Sequence, residues 1–282
     1  MSSSPQTPTP LRVERAGPDG VVARVVLARP ERRNALDAAT IAALGETFWS
    51  LADEPASSLR VVVLAGEGRA FCAGADIAWM RAAMALSREE NVEDALGLAD
   101  TLAAIDACPV PVVVRVQGAA LGGGAGLCAV GDVVVAEAGA KFGFPEVRLG
   151  LVGATIAPFV VRRIGEGATR ALFATGERID AAKAQRIGLV HHVADGEAAL
   201  DTAVDGVVAD ILAGGPEAVR AAKALAREVA AAAWGGPEAM ARLGVRTAEI
   251  LAARRASAEA AEGLAAFDGR RRPAWAPPDA PE

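Results

Sequence analysis

Gly118-Ala119-Ala120-Leu121-Gly122-Gly123-Gly124-Ala125-Gly126 opens an apolar, helix-like run, and farther along Phe142-Gly143-Phe144-Pro145-Glu146-Val147 sets one carboxylate, Glu146, among apolar neighbours. A glycine cluster lets the backbone come within hydrogen-bonding distance of a ligand. If it opens a helix, its free NH groups face outward at the positive end of the macrodipole, a setting that favours developing negative charge. The same glycines are also compatible with close helix packing alone. A nucleotide loop is excluded, because no Gly-Lys-Ser/Thr follows and no Gly-x-Gly-x-x-Gly pattern threads through the cluster.

Upstream and downstream of this stretch, Val21 to Ala28, Arg60 to Ala65, Val110 to Val116 and Val133 to Ala136 are short Val-rich runs bounded by Gly, Pro, Asp or Asn, the pattern of buried strands. Alanine-rich segments lie between them. Asp37 is placed to cap a helix running to about Leu51, and Ser87 with Glu90 has capping-box spacing before a helix over residues 91 to 107. Strand followed by helix, repeated, predicts an α/β core over residues 11–196.

The pattern changes after about residue 197, where Ala, Leu, Glu and Arg recur at helical spacing with no further Val-rich run. Residues 197–268 therefore read as a C-terminal helical region. Gly214-Gly215-Pro216 and Gly235-Gly236-Pro237 mark its breaks, each with Pro where the next helix would start. Residues 1–10, rich in Ser, Pro, Thr and Gln, read as a disordered leader and not a signal peptide, and residues 269–282 as a mobile tail.

The 282 residues, 52% hydrophobic and 23% charged, suffice for a full core. A net charge of -6 gives no footprint for nucleic acid, which needs clustered Lys and Arg. No apolar stretch is long enough for a membrane span. The three cysteines form no CxxC pair, so neither a disulfide framework nor a metal knuckle is indicated, and the expected compartment is the cytoplasm. His191 and His192 are adjacent in a strand-like run and face opposite sides, which disfavours a catalytic triad or a two-His metal site.

A second small-residue segment, Phe71-Cys72-Ala73-Gly74-Ala75-Asp76-Ile77, follows the strand ending at Ala65 and again directs backbone NH groups toward a helix start. Two preorganised NH groups aimed at one oxygen make an oxyanion hole, which stabilises an enolate or tetrahedral anion, and loss of one donor costs ~3 kcal/mol of transition-state stabilisation. Glu146, near Phe142, Phe144 and Val147, is a candidate acid/base with a raised pKa.

Arg29-Pro30-Glu31-Arg32-Arg33-Asn34-Ala35-Leu36, Ala73-Gly74-Ala75-Asp76, Gly118 to Gly124, Phe144-Pro145-Glu146, Thr175-Gly176-Glu177-Arg178-Ile179 and Gly188-Leu189-Val190 occur in an order that resembles the crotonase superfamily, whose members process acyl-coenzyme A thioesters through a thioester enolate. The resemblance implies a crotonase-like ββα spiral core with a C-terminal helical trimerisation region, assembling as a homotrimer or hexamer. It puts the oxyanion-hole donors on the NH groups of Ala75 and Gly123, and Glu146 in the place of one of two catalytic glutamates. Arg33, Ala35, Leu36, Ala73, Asp76, Ile77 and Gly122 would line the coenzyme A groove. Coenzyme A enters as part of the substrate, with no other cofactor and no metal.

By the same resemblance the other family glutamate should fall at position 126, where this chain has Gly126. Hydration asks for a base on water and an acid at the α carbon, whereas moving a double bond needs only one base that removes and returns a proton. Ala75-Asp76-Ile77-Ala78-Trp79-Met80, Ser87-Arg88-Glu89-Glu90-Asn91 and Glu146-Val147-Arg148-Leu149-Gly150-Leu151 further resemble bacterial methylglutaconyl-CoA hydratases of leucine breakdown. Val152-Gly153 departs from that pattern, in which a proline is usual. The expected activity is thus an enoyl-CoA hydratase, with an enoyl-CoA isomerase or a non-catalytic acyl-CoA-binding homologue as alternatives. Trp79 and Met80 are candidates for the acyl pocket as well as for the core.

Overall fold

The computed structural model describes residues 9–232 and 236–277. The chain enters through β1 (Leu11–Ala16), which pairs antiparallel with β2 (Val22–Leu27). Asp37 then caps α1 (Ala38–Ala52) by accepting the Thr40 NH at 2.9 Å, as its position in the sequence predicts. β3 (Val61–Gly66) follows, then α2 (Ile77–Ala83) and α3 (Arg88–Ala107). The predicted capping box at the start of α3 is present: Glu90 NH donates to Ser87 Oγ at 3.2 Å, and Ser87 NH to Glu90 Oε2 at 2.7 Å.

β4 (Val112–Val116), β5 (Ala119–Leu121), α4 (Gly123–Val130), β6 (Val133–Glu137) and β7 (Lys141–Gly143) come next, and a short 3-10 turn over Pro145–Leu149 carries Glu146. α5 (Ala157–Thr175), broken at Gly165, leads through β8 (Arg178–Asp180), α6 (Ala181–Arg186) and β9 (His192–Ala194). The chain finishes with α7 (Glu197–Ala213), α8 (Pro216–Ala232), α9 (Gly236–Arg255) and α10 (Ala258–Asp268).

Among the described residues the strands form two sheets, one ordered β1-β2-β3-β4-β6-β9 and a smaller one ordered β5-β7-β8. From β2 to β9 the large sheet is parallel, and such a sheet is covered on both faces. This is why its strands read as unbroken valine runs. Val62, Leu64, Val112 and Val114 face one way, into the core formed with α1 and α3, whereas Val61, Val63, Val113 and Val135 face α7 through Leu200 and Val204. The α/β core followed by a helical region agrees with the sequence reading.

Pro216 opens α8 as expected, and α9 begins at Gly236, one residue before Pro237; Gly235 lies outside the described residues, as do residues 1–8 and 278–282 of the expected leader and tail. Within 269–277 the chain is tied to the core: Trp275 Nε1 donates to Ala213 O at 3.1 Å. Opposite it, Arg60, only 9% exposed, donates to the carbonyls of Trp275 (2.8 Å), Leu212 (2.7 Å) and Gly214 (2.5 Å). Lys223 of α8 reaches Asp132 Oδ2 at 2.6 Å and Val110 O at 2.9 Å. One guanidinium therefore joins the start of β3 to the end of α7 and the C-terminal strap. Arg60→Ala, which leaves three carbonyls short of a charged donor, is expected to cost about 3 kcal/mol in a urea titration.

Candidate active site

Two isolated parallel bridges clamp the segment Cys72 to Asp76. On one side Leu36 NH donates to Gly74 O and Asp76 NH to Leu36 O, both at 2.8 Å. On the other, Cys72 NH donates to Ala119 O and Leu121 NH to Cys72 O, both at 3.0 Å. In a parallel ladder the residues flanking a bridged position carry the bonds, so Ala75, opposite Leu36, turns its own NH away from that partner. The second ladder ends at Leu121, because Gly122 (φ 52°, ψ -120°) swings its NH to Gly143 O at 2.9 Å. No described hydrogen bond claims the Ala75 NH.

The Gly122 turn also starts α4. Its carbonyl accepts the Gly126 NH at 2.9 Å, and Gly123, as the first helical residue, has an NH with no intrahelical acceptor. Ala75 and Gly123 both line one cavity of roughly 390 Å³. Two unclaimed amides thus face a shared space beside a helix start.

Glu146 lines the same cavity. β7 places it: Phe142 pairs with Ile179, Phe142 and Phe144 are buried, and the Phe144 ring meets Phe173 with centroids 5.0 Å apart. Pro145 then turns the chain, and the Glu146 carbonyl accepts the Leu151 NH at 3.0 Å. A Cβ at Gly122 would lie 2.9 Å from Glu146 Oε1, so only glycine permits both the left-handed turn and the carboxyl's approach. Glu146 Oε2 is buried and has no hydrogen-bond partner among the described residues. Burial pushes its pKa above the ordinary carboxylate value, opposed by its own backbone NH. Relative to an exposed carboxyl, the acid form is favoured there.

Position 126 is closed to any side chain. A Cβ there would sit 2.5 Å from Ile156 Cγ2, with Leu102 Cδ2 at 4.0 Å. Ile156 also lines the cavity, so the side chain that a Cβ at position 126 would run into is aliphatic. Gly153 stands behind Glu146; a Cβ on it would be 3.1 Å from Ile156 Cδ1 and 3.5 Å from Glu146 Cδ.

Of the residues singled out in the sequence, Leu36, Ala73, Ala75, Ile77, Gly122, Gly123 and Glu146 share this cavity, and Trp79 and Met80 line it as well. Arg33, Ala35 and Asp76 are not in its lining. Arg33 is exposed on the neighbouring turn, and Ala35 is buried with its carbonyl accepting from Arg29 at 2.9 Å. Asp76 caps α2, accepting the Ala78 NH at 2.8 Å, and its other oxygen faces Arg29 at 3.4 Å. His191 Nδ1 accepts the Val134 NH at 2.9 Å, a structural role. Cys72 and Cys128 are buried fillers, and burial pushes the Cys72 thiol up to about 12.

Asn91, Asp94, Arg178 and Ile156 line the cavity without having been singled out as site residues. For α3 the signal was available: Asn91, Asp94, Ala95 and Leu98 follow the i, i+3, i+4, i+7 spacing of one helix face. Asn91 Nδ2 donates to Ala83 O (2.9 Å), Leu86 O (3.2 Å) and Ser87 O (3.2 Å), fastening the α2–α3 connection. Trp79 Nε1 donates to Asp94 Oδ1 at 3.1 Å. Among the described residues, no helix is long and apolar enough to cross a membrane.

The profile of a family described as Enoyl-CoA hydratase/isomerase matches residues 18–278. A crotonyl-CoA hydratase of Syntrophomonas wolfei is 37% identical over 201 residues, which are 71% of this chain and 75% of that protein. The structure named AtuE, from Pseudomonas aeruginosa, superposes with a TM-score of 0.87 at 37% identity, covering 95% of this chain and 100% of the other. An enoyl-CoA hydratase/isomerase from Marinobacter aquaeolei gives a TM-score of 0.86 at 35% identity, covering 95% and 99%. Matches of this extent, on a core of crotonase-like α/β fold, mean that the chain belongs to the enoyl-CoA hydratase/isomerase family.

Proposed function

We propose that this chain is an enoyl-CoA hydratase, a lyase that adds water across the double bond of an α,β-unsaturated acyl-CoA thioester. The observation that carries the reading is the convergence, in one cavity, of the unclaimed Ala75 and Gly123 amides with the buried, unpartnered Oε2 of Glu146. The thioester oxygen takes both NH groups, which draws electrons out of the enoyl group and makes its β carbon electrophilic. Attack of water there produces an enolate that the same two amides stabilise, and Glu146, whose acid form burial favours relative to an exposed carboxyl, delivers a proton to the α carbon. Leu36, Ala73, Ile77 and Gly122, which line the cavity, form the approach for coenzyme A, which serves as part of the substrate and not as a separate cofactor.

A second reading, double-bond isomerisation, is favoured by one observation, the packing of Ile156 on Gly126, which leaves α4 without a carboxylate to accompany Glu146. The two readings separate on product mass. Hydration abolishes the conjugated absorbance and adds one water, whereas isomerisation conserves mass.

The substrate we propose is of the methylglutaconyl-CoA type, placing the protein in leucine or related branched-acid breakdown in the cytoplasm as a homotrimer or hexamer. Arg178 supports an acyl chain that ends in a carboxylate: it is the only basic side chain in the cavity's lining and has no ion pair among the described residues. It is exposed at the rim, so its contribution is small, about 1 kcal/mol.

Glu146→Gln is expected to lower hydration by about 1000-fold in a stopped assay with mass detection while leaving the fold intact. The sign of the pKa shift sets the pH dependence. Because the folded-state value lies above the unfolded one, the acid form is lost, and kcat/KM falls, as pH rises through it; ionised Glu146 also costs stability there. The Gln variant should therefore melt no lower than wild type at pH 8, and a lower melting temperature at that pH would contradict the buried, unpartnered carboxyl. Arg178→Met should reduce kcat/KM for methylglutaconyl-CoA by about fivefold relative to crotonyl-CoA; equal effects on both thioesters would remove the acidic-chain assignment.

A further inference from the structure

Hydration needs a base on the attacking water as well as an acid at the α carbon. The inference rests on the hydratase reading above. Its starting point is a closed door: a Cβ at position 126 would meet only apolar atoms of Ile156 and Leu102, with Ile156 Cγ2 at 2.5 Å, and Ile156 in turn lines the cavity. The lining contains only three titratable side chains, Asp94, Glu146 and Arg178. An arginine stays protonated throughout the working pH range and cannot accept a proton. That leaves one carboxylate besides Glu146.

α3 carries it to the site. Leu102, near position 126, marks where the helix enters the core, and Asp94 stands two turns back toward its N-terminus, about 12 Å away by helical rise. Leu98 and Ala95 fill the intervening wall of the cavity. Trp79 of α2 holds Oδ1 of Asp94, which orients the carboxylate and leaves Oδ2 unclaimed by any described hydrogen bond. Asn91, spent on three carbonyls, stiffens the turn that keeps α2 and α3 together over the cavity.

We propose that Asp94 is the second acid/base residue, the group that takes a proton from the attacking water while Glu146 supplies the proton for the α carbon. The water O–H bond breaks and its proton passes to Asp94. The oxygen bonds to the β carbon, the π pair moves onto the thioester oxygen held by Ala75 and Gly123, and the enolate collapses as its α carbon takes the proton from Glu146. Asp94 then returns a proton to Glu146 through solvent. One water is consumed and both carboxyl groups regain their starting states. The carboxylate comes from α3 instead of α4, so the chemistry survives a packing arrangement that has no room at position 126.

The test separates water activation from α-carbon chemistry. Exchange of α hydrogens of a saturated acyl-CoA in D2O needs only the two amides and Glu146, whereas hydration of crotonyl-CoA or methylglutaconyl-CoA also needs Asp94. Asp94→Asn keeps an acceptor for Trp79 and removes the base. It should lower hydration by about 100-fold or more and leave α-hydrogen exchange within about threefold of wild type, and Asp94→Glu should recover part of the hydration. Hydration within threefold of wild type in the Asn variant overturns the assignment, and so does a parallel loss of exchange, which would make Asp94 a structural partner of Trp79. If the wild-type protein exchanges α hydrogens but moves the double bond without adding water, the hydratase reading itself fails and Asp94 falls with it.

Discussion

The site depends on how one short segment is pinned. Residues 72 to 76 run between Leu36 on one side and Ala119 to Leu121 on the other, and each flank takes the hydrogen bonds appropriate to a parallel ladder. Parallel pairing uses alternate residues, so the amide of Ala75 is left over, pointing away from Leu36. Had the second ladder continued past Leu121, that amide would be exposed to another backbone acceptor. It stops because Gly122 adopts a left-handed turn and gives its NH to the small sheet at Gly143. One turn therefore ends a strand, begins a helix, frees two donors and clears the space that Glu146 occupies.

The electrostatics follow from that packing. An amide pair in a partly enclosed cavity stabilises an anion without reorganising, while a carboxyl with one buried, unpartnered oxygen is disfavoured as an ion. These two tendencies are complementary: the amides receive charge on the thioester oxygen and the carboxyl releases a proton to carbon. Neither needs the other's charge as a partner. The cavity is lined by leucine, valine and isoleucine side chains together with the polar groups Asp94, Asn91 and Arg178. Where a residue such as Ile156 fills a position, it selects chemistry as firmly as a charged group does.

Much of the scaffold was readable from local pattern. The valine runs of β2, β3, β4 and β6 stand out because both faces of a parallel sheet are covered, and Asp37, Ser87 and Glu90 cap helices through bonds spanning three residues. The three-residue strands β5, β7 and β8 escaped notice, since a strand that short has no period to detect, whereas β9 lies where His191 and His192 read as strand-like. β1 escaped for another reason: Leu11–Ala16 lies at an edge, is mostly exposed and reads as polar. The glycine run and Glu146 were recognisable as site residues, whereas Asp76, with a helix cap's residue type and position, proves to be that cap.

The amino-acid sequence by itself determined the α/β core, the helical C-terminal region, the glycine-rich turns and the carboxylate available to them, because strand periodicity, capping and backbone freedom act within a few residues. Only the tertiary structure decided that the Ala75 and Gly123 amides open onto the same cavity as Glu146, that Ile156 occupies the space at Gly126, and that α3 brings Asp94 to the wall. Those outcomes arise between segments far apart in the chain, where shape and excluded volume, not local preference, choose which side chains meet.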